Sequence, residues 1–92
     1  MKILILEDEI PAYQKLLSFV KYEIPNHQLL GWARSVEEAK LLLNNEDTPD
    51  LIISDIELLD GNSFEVFESI KVKSPIIFCT AFDQYVLSLI HI

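Results

Sequence analysis

Three short apolar runs limit most strongly what this chain can fold into. They are ILIL at residues 3–6, LII at 51–53 and IIF at 76–78, and in none of them do apolar and polar residues alternate. Strands that are apolar on both faces belong to a parallel sheet that helices cover on both sides. The run LLGWA at residues 29–33 predicts a weaker fourth strand.

Helical periodicity fills the intervals between these runs. Pro11 suits the first turn of the first helix, Ser35 and Glu38 form a capping box for the second, and Asn62 is an N-cap candidate for the third. The resulting order βαβαβαβα, with right-handed crossovers, predicts a doubly wound α/β sheet. The four predicted apolar faces are Tyr13, Leu16, Leu17, Val20 and Ile24; Val36, Ala39, Leu42 and Leu43; Val66, Phe67 and Ile70; and Phe82, Tyr85, Val86 and Leu89.

Charge and cysteine content exclude several classes of function. Seven basic against fifteen acidic side chains give a formal net charge of −8, whereas binding to nucleic acid or to an anionic membrane needs a basic face. The single cysteine, Cys79, excludes an internal disulfide framework and a cysteine-based zinc site. The first apolar run is too short for a secretory segment, so we expect a cytoplasmic protein.

Polar side chains follow the predicted strands at the points where they end. Glu7 and Asp8 follow the first strand, Asp55 ends the third, and Thr80 follows the fourth. Because the carboxyl ends of parallel strands meet at one edge of a sheet, we expect these side chains to lie together.

Three crowded carboxylates call for a hard divalent cation, and Mg²⁺ prefers such oxygen ligands. We expect Asp8 and Asp55 to bind the ion directly, Glu7 to act through water or to support the geometry, and a backbone carbonyl near Glu57 to add an oxygen. With the cation bound, Asp55 can act as a nucleophile towards a phosphoryl group, and the Thr80 hydroxyl can donate to a phosphoryl oxygen.

The same residues carry a family resemblance. The sequence resembles a response-regulator receiver domain of two-component systems from residue 1 to about residue 86. The matched segments are ILILEDE at 3–9, PDLIISDI at 49–56, Asp60-Gly61 and PIIFCTA at 75–81. The segment TAFDQY at 80–85 is similar to receivers that carry a LytTR-type DNA-binding domain.

The resemblance implies a flavodoxin-like, three-layer α/β/α fold with strand order 2-1-3-4. It implies that Asp55 accepts a phosphoryl group from a sensor histidine kinase, with Mg²⁺ held by the acidic pair and by the carbonyl of Glu57. It also implies that Thr80 is the switch hydroxyl and that Ala81 is the small residue that leaves room for the phosphoryl group. Gly61 would relieve a turn that needs a positive φ.

Three family features have no counterpart in the sequence: a fifth strand that ends in a lysine, its aromatic switch residue, and a fifth helix. Lys71 and Lys73 precede the fourth strand, so we expect them at the opposite edge of the sheet. Residues 87–92 depart from the family pattern and match the translation of CTG TCT CTT ATA CAC ATC, a transposon end used in sequencing libraries. We therefore interpret residues 1–92 as one partial receiver domain with a non-native tail at 87–92; the alternative is a divergent helix with a natural stop.

The expected function is that of a phosphoacceptor signalling module, and no classical enzyme is expected. Its expected partner is a sensor histidine kinase, and a homodimer through the face near the fourth helix is a further candidate. DNA would be contacted only through a missing C-terminal domain, which makes the expected output transcriptional, and no membrane partner is expected. The alternatives are an aspartyl-phosphate phosphatase or phosphotransferase, a flavin-binding or purely structural module, and an inactive fragment whose fourth strand is an exposed edge.

Overall fold

A computed structural model describes residues 1–44 and 48–79, and the backbone of residues 86–91. Two of its strands, Glu57–Leu58 and Gly61–Asn62, form a separate two-residue antiparallel pair. The elements in chain order are β1 (Lys2–Leu6), α1 (Ile10–Glu23), β2 (Gln28–Ala33), α2 (Val36–Leu43), β3 (Leu51–Asp55), β4 (Glu57–Leu58), β5 (Gly61–Asn62), α3 (Phe64–Ser69), β6 (Pro75–Cys79) and β7 (Val86–His91). No helix in the described part of the chain is long and apolar enough to cross a bilayer.

The main sheet has five strands in the order β2-β1-β3-β6-β7. The first four are parallel, which confirms the predicted doubly wound α/β fold and the order 2-1-3-4 of its parallel strands. In the register of β1 and β3, Leu6 lies opposite Ser54, so the residues that follow these strands emerge side by side.

The parallel strands bury apolar side chains on both faces, as their unbroken apolar runs predict. One face packs against α2 and α3, and the other packs against α1. The first cluster contains Leu4, Leu6, Val36, Ala39, Ile52, Val66, Phe67, Ile76 and Phe78, and the second contains Ile3, Ile5, Val20, Leu51, Ile53 and Cys79.

Side-chain caps set the starts of α2 and α3. The Ser35 hydroxyl accepts the Glu38 N–H at 3.0 Å, as the capping box predicts, but the Glu38 carboxylate accepts the N–H of Arg34 rather than that of Ser35. At α3 the predicted N-cap is wrong by one residue: Ser63 is the N-cap and makes no side-chain cap bond, and the side chain of Asn62 before it accepts the Phe64 N–H at 2.8 Å. These bonds satisfy amides that the first turn of a helix leaves without partners.

The predicted fourth helix is wrong where the structure describes it. Val86–His91 is a strand that pairs antiparallel with β6. Pro75 lies opposite His91 at one end of this pairing, and Cys79 lies opposite Val86 at the other. This pairing gives the outer backbone groups of β6 hydrogen-bond partners, and Val and Ile favour an extended backbone. The expectation of an exposed edge at the fourth strand is wrong for the same reason. Phe82 and Tyr85 lie outside the described residues.

Candidate functional site

Three carboxylates converge at the carboxyl edge of the sheet. Glu7 and Asp8 directly follow β1, and Asp55 ends the neighbouring strand β3. One carboxylate oxygen from each of the three lies within 4.8 Å of the other two. The structure therefore brings together the three acidic side chains that the sequence placed at this edge.

Glu7 is the most buried of the three, with only 4% of its surface exposed. Its pKa is raised to about 8, mainly by burial and in smaller part by the charges of Asp55 and Asp8. The N–H of Glu9 donates to the Glu7 carboxylate at 3.2 Å and opposes that shift. Glu7 therefore holds a proton at neutral pH, mainly because its carboxyl group is buried.

Asp55 has a smaller shift with the same leading cause. Burial raises its pKa, and the charge of Asp8 adds to the increase. The N–H of Ile56, which donates to Oδ1 at 2.8 Å, and the N–H of Glu57 lower it in part. A hydrogen bond from the Glu7 side chain lowers the pKa of Asp55 as well, so two backbone donors and Glu7 favour the carboxylate while burial and Asp8 oppose it.

This donor set fits a small, hard divalent cation. The group offers oxygen atoms alone, and Mg²⁺ binds one or two carboxylates while it keeps several waters. A cation bound here would favour the ionised form of the three carboxylates.

The chain is similar to bacterial regulators and to solved receiver structures. It is 36% identical over 91 residues to the sensory transduction protein LytT of Bacillus anthracis, a match that covers 95% of this chain and 36% of LytT. The solution structure of the PhyR response regulator REC domain from Erythrobacter litoralis superposes with a TM-score of 0.73 at 28% identity, over 88% of this chain and 63% of that one. The complex of the anti-anti-sigma factor PhyR with the anti-sigma factor NepR from Bartonella quintana gives a TM-score of 0.74 at 31% identity, over 95% of this chain and 36% of PhyR.

The chain belongs to the response-regulator receiver family. It spans about a third of the length of the curated relatives that it matches. No protein-family profile matches the sequence.

Of the remaining predicted site residues, the structure describes Glu57 and Gly61 but not Thr80 and Ala81. Glu57 begins β4 and is exposed, next to Asp55. Gly61 has a φ of 156°, and a Cβ at this position would collide with the Glu65 carboxylate. Thr80 and Ala81 lie outside the described residues.

Lys71 and Lys73 lie just before β6, at the amino edge of the receiver's sheet. This is the edge opposite the carboxylates, as the sequence predicted.

Two residues that contact the acidic pair were missed by the sequence analysis. The indole N–H of Trp32 donates to the carbonyl of Glu7 at 2.7 Å. The guanidinium of Arg34 donates to the carbonyl of Asp8 through two nitrogens, at 3.0 and 3.3 Å. The available signal was their spacing: Trp32 lies in β2 and Arg34 directly follows it, and alternation along an extended chain puts residues i and i+2 on one face.

Proposed function

We propose that this receiver accepts a phosphoryl group on Asp55 from a phosphohistidine of a sensor kinase, in the presence of Mg²⁺. The observation that carries the proposal is the convergence of Glu7, Asp8 and Asp55 at the carboxyl edge of a parallel sheet. Ligands of doubly wound α/β folds bind at that edge. The role of the chain is then signal transfer rather than turnover of a metabolite.

The transfer forms one bond and breaks one. An oxygen of Asp55 bonds to phosphorus while the bond between phosphorus and the histidine nitrogen breaks, and the imidazole keeps the electron pair and takes up a proton. The Ile56 N–H, at 2.8 Å from Oδ1, holds the carboxylate in one orientation. Bound Mg²⁺ offsets the repulsion between the carboxylates and the phosphoryl oxygens.

The finer assignments belong to the same proposal. Asp8 and Asp55 hold the cation directly, Glu7 supports it, and the backbone carbonyl of Glu57 supplies a further oxygen. The Thr80 hydroxyl donates to the phosphoryl group, and the small side chain of Ala81 leaves space for it. We also propose that residues 87–92 are a non-native tail on a partial receiver domain.

The proposed setting is a cytoplasmic transcriptional regulator. LytT relatives extend well beyond the matched region, and the segment at residues 80–85 is similar to receivers with a LytTR-type domain. Phosphorylation would act on such an output domain, which alone would contact DNA. The acidic receiver itself would meet its kinase and a second receiver.

An intact-mass measurement tests the phosphoacceptor role. The 92-residue chain is incubated with an acyl phosphate, as a small phosphoryl donor, and with Mg²⁺. We expect the mass of one phosphoryl group to be added, and we expect this addition to be lost with EDTA. The variant Asp55→Asn should remain unmodified.

A matched control tests whether phosphorylation is specific to Asp55 or can occur on any aspartate of the chain. Asp50→Asn changes the same residue type at the exposed amino edge and should be modified like the parent chain. Modification that persists in Asp55→Asn would contradict the assignment of the phosphoacceptor. Repeated hydrolysis of the donor, with no modified chain accumulating, would instead support the phosphatase alternative.

A further inference from the structure

The backbone of the acidic pair is held by side chains from the neighbouring edge strand β2 and from the residue that directly follows it. Trp32 Nε1 donates to the Glu7 carbonyl, and Arg34 donates twice to the Asp8 carbonyl. The ladder between β1 and β2 continues through the Glu7 N–H, which donates to the Ala33 carbonyl at 2.9 Å. Two successive peptide units after β1 are thus fixed from β2.

A stack of three side chains holds these donors in place. The rings of Tyr13 and Trp32 are parallel within 6°, with centroids 3.8 Å apart. The guanidinium carbon of Arg34 lies 5.6 Å from the Trp32 ring centroid, within the range of a cation–π contact. Because Tyr13 belongs to α1, the stack ties that helix, β2 and the acidic segment together.

We propose that Trp32 and Arg34 are positioning residues that hold the backbone of Glu7 and Asp8 so that the two carboxylates converge on Asp55. This inference rests on the proposed function, because convergence serves a cation site. Both side chains bond to carbonyl oxygens, so they fix the peptide units and leave the carboxylates gathered on the Asp55 side. Without them, the segment after β1 would gain rotational freedom that cation binding would have to remove.

The geometry of the bonds argues for positioning rather than packing alone. A core role for Trp32 needs only its ring, which a phenyl group can largely replace. The 2.7 Å bond from the indole nitrogen and the double donation from Arg34 instead depend on N–H groups in fixed directions. Removing the N–H groups while keeping bulk therefore separates the two roles.

Calorimetric titration with Mg²⁺ tests the proposal on the 92-residue chain. Trp32→Phe keeps an aromatic ring beside Tyr13 but removes the donor, and Arg34→Gln removes the cation and its fork. We expect each variant to raise the Kd for Mg²⁺ about three- to tenfold, the effect of losing one hydrogen bond. Arg34→Lys, which keeps a cationic donor, should lie between Arg34→Gln and the parent.

Lys73→Gln is the matched control for charge. It removes one positive charge, as Arg34→Gln does, but at the exposed amino edge of the sheet. Its Kd should stay within about twofold of the parent value, because salt screens distant charges. Equal weakening in Lys73→Gln and Arg34→Gln would overturn the proposal in favour of net charge.

Amide hydrogen exchange without metal supplies a second readout. The Glu9 N–H, which donates to the Glu7 carboxylate, should exchange about three- to tenfold faster in Trp32→Phe, while the β3 amides of Ile52 and Ile53 stay unchanged. Acceleration throughout β3 would indicate a general loss of stability and would overturn the proposal.

The two readouts separate this proposal from the proposed function. A parent chain that binds no Mg²⁺ would refute the cation site, whereas faster exchange at Glu9 alone would still support positioning of the acidic pair. A parent chain that binds Mg²⁺, with variants that bind equally well, would refute the positioning role and leave the phosphoacceptor site standing.

Discussion

The two edges of the parallel sheet are built on opposite electrostatic principles. At the amino edge, donors meet acceptors: the Asp50 carboxylate accepts the Lys2 N–H at 2.7 Å, and the Ser74 hydroxyl donates to the Pro49 carbonyl. At the carboxyl edge, three carboxylates crowd within 4.8 Å. The amino edge therefore stabilises the fold, whereas the crowded, partly buried carboxylates of the carboxyl edge destabilise it.

This division explains why residues of the same type have different roles in one small domain. Asp50 directly precedes β3, and Asp55 is the last residue of that strand. Asp50 is exposed and accepts a backbone N–H, whereas burial and a neighbouring acid raise the pKa of Asp55. Functional sites commonly carry such strain, which the rest of the fold offsets.

The largest expected effect is at the amino edge. Ser74→Ala removes a buried donor and leaves the Pro49 carbonyl without that partner, so the free energy of unfolding should fall by about 1–3 kcal/mol. Ser63→Ala is the matched control, because the buried Ser63 hydroxyl has no hydrogen-bond partner among the described residues. Urea unfolding of both variants measures the difference in the free energy of unfolding. If Ser63→Ala lost as much stability as Ser74→Ala, the hydrogen bond of Ser74 would not be the cause of the loss.

The carboxyl edge should respond with the opposite sign. Glu7→Gln replaces a carboxyl that is protonated only at a cost, so the metal-free chain should become more stable by about 1–2 kcal/mol near neutral pH. Glu68→Gln, which makes the same substitution at an exposed position, should leave stability nearly unchanged. Destabilisation by Glu7→Gln in the same urea assay would show that this edge is not strained.

The pH dependence of stability should reveal the same strain. Glu7 has a folded pKa of about 8 against an ordinary value of 4.5. Between these values the folded chain keeps a proton that the unfolded chain has released, so the free energy of unfolding should fall as pH rises, by at most about 1.4 kcal/mol per pH unit for this proton. Thermal unfolding without metal across this pH range measures how steeply the free energy of unfolding falls with pH. We expect Glu7→Gln to make that fall less steep; an unchanged slope would mean that other groups cause it.

The smallest expected effect lies beside the carboxyl edge, at Asp60. Its carboxylate accepts the N–H groups of Val36 and Glu37 at 2.6 and 3.2 Å, and the Val36 bond is the main cause of its lowered pKa. Asp60→Ala should lower the melting temperature slightly. The parent's advantage should vanish as pH falls through the depressed pKa of Asp60, because protonation removes the same charge in the parent. A difference that persists in strong acid would point to packing instead.

The sequence predicted the parallel strands and the acidic cluster because both depend on local patterns. Unbroken apolar runs specify buried strands, and strand ends in a parallel sheet share one edge, so Glu7, Asp8 and Asp55 could be placed together without coordinates. The outer edge of β6 was different. The apolar spacing of residues 82–89 also fits a helix, and only the open backbone groups of β6 favour the strand Val86–His91.

The roles of Trp32 and Arg34 could not be predicted for another reason. Trp32 lies in β2 and Arg34 directly follows it, so continued alternation favours one face for both, but the direction of an indole N–H depends on a side-chain rotamer and on Tyr13 of a separate helix. The apolar pattern of the sequence predicts that Trp32 is partly buried. It does not predict which backbone carbonyl accepts the indole N–H.

The bond from Trp32 to Glu7 also makes the domain its own spectroscopic reporter. Trp32 is the only tryptophan in the chain, so all indole emission comes from a ring attached directly to the acidic segment. Its parallel contact with Tyr13 couples two aromatic chromophores, so near-ultraviolet circular dichroism reads the same stack. Events at the carboxyl edge can therefore be followed optically in the unlabelled protein.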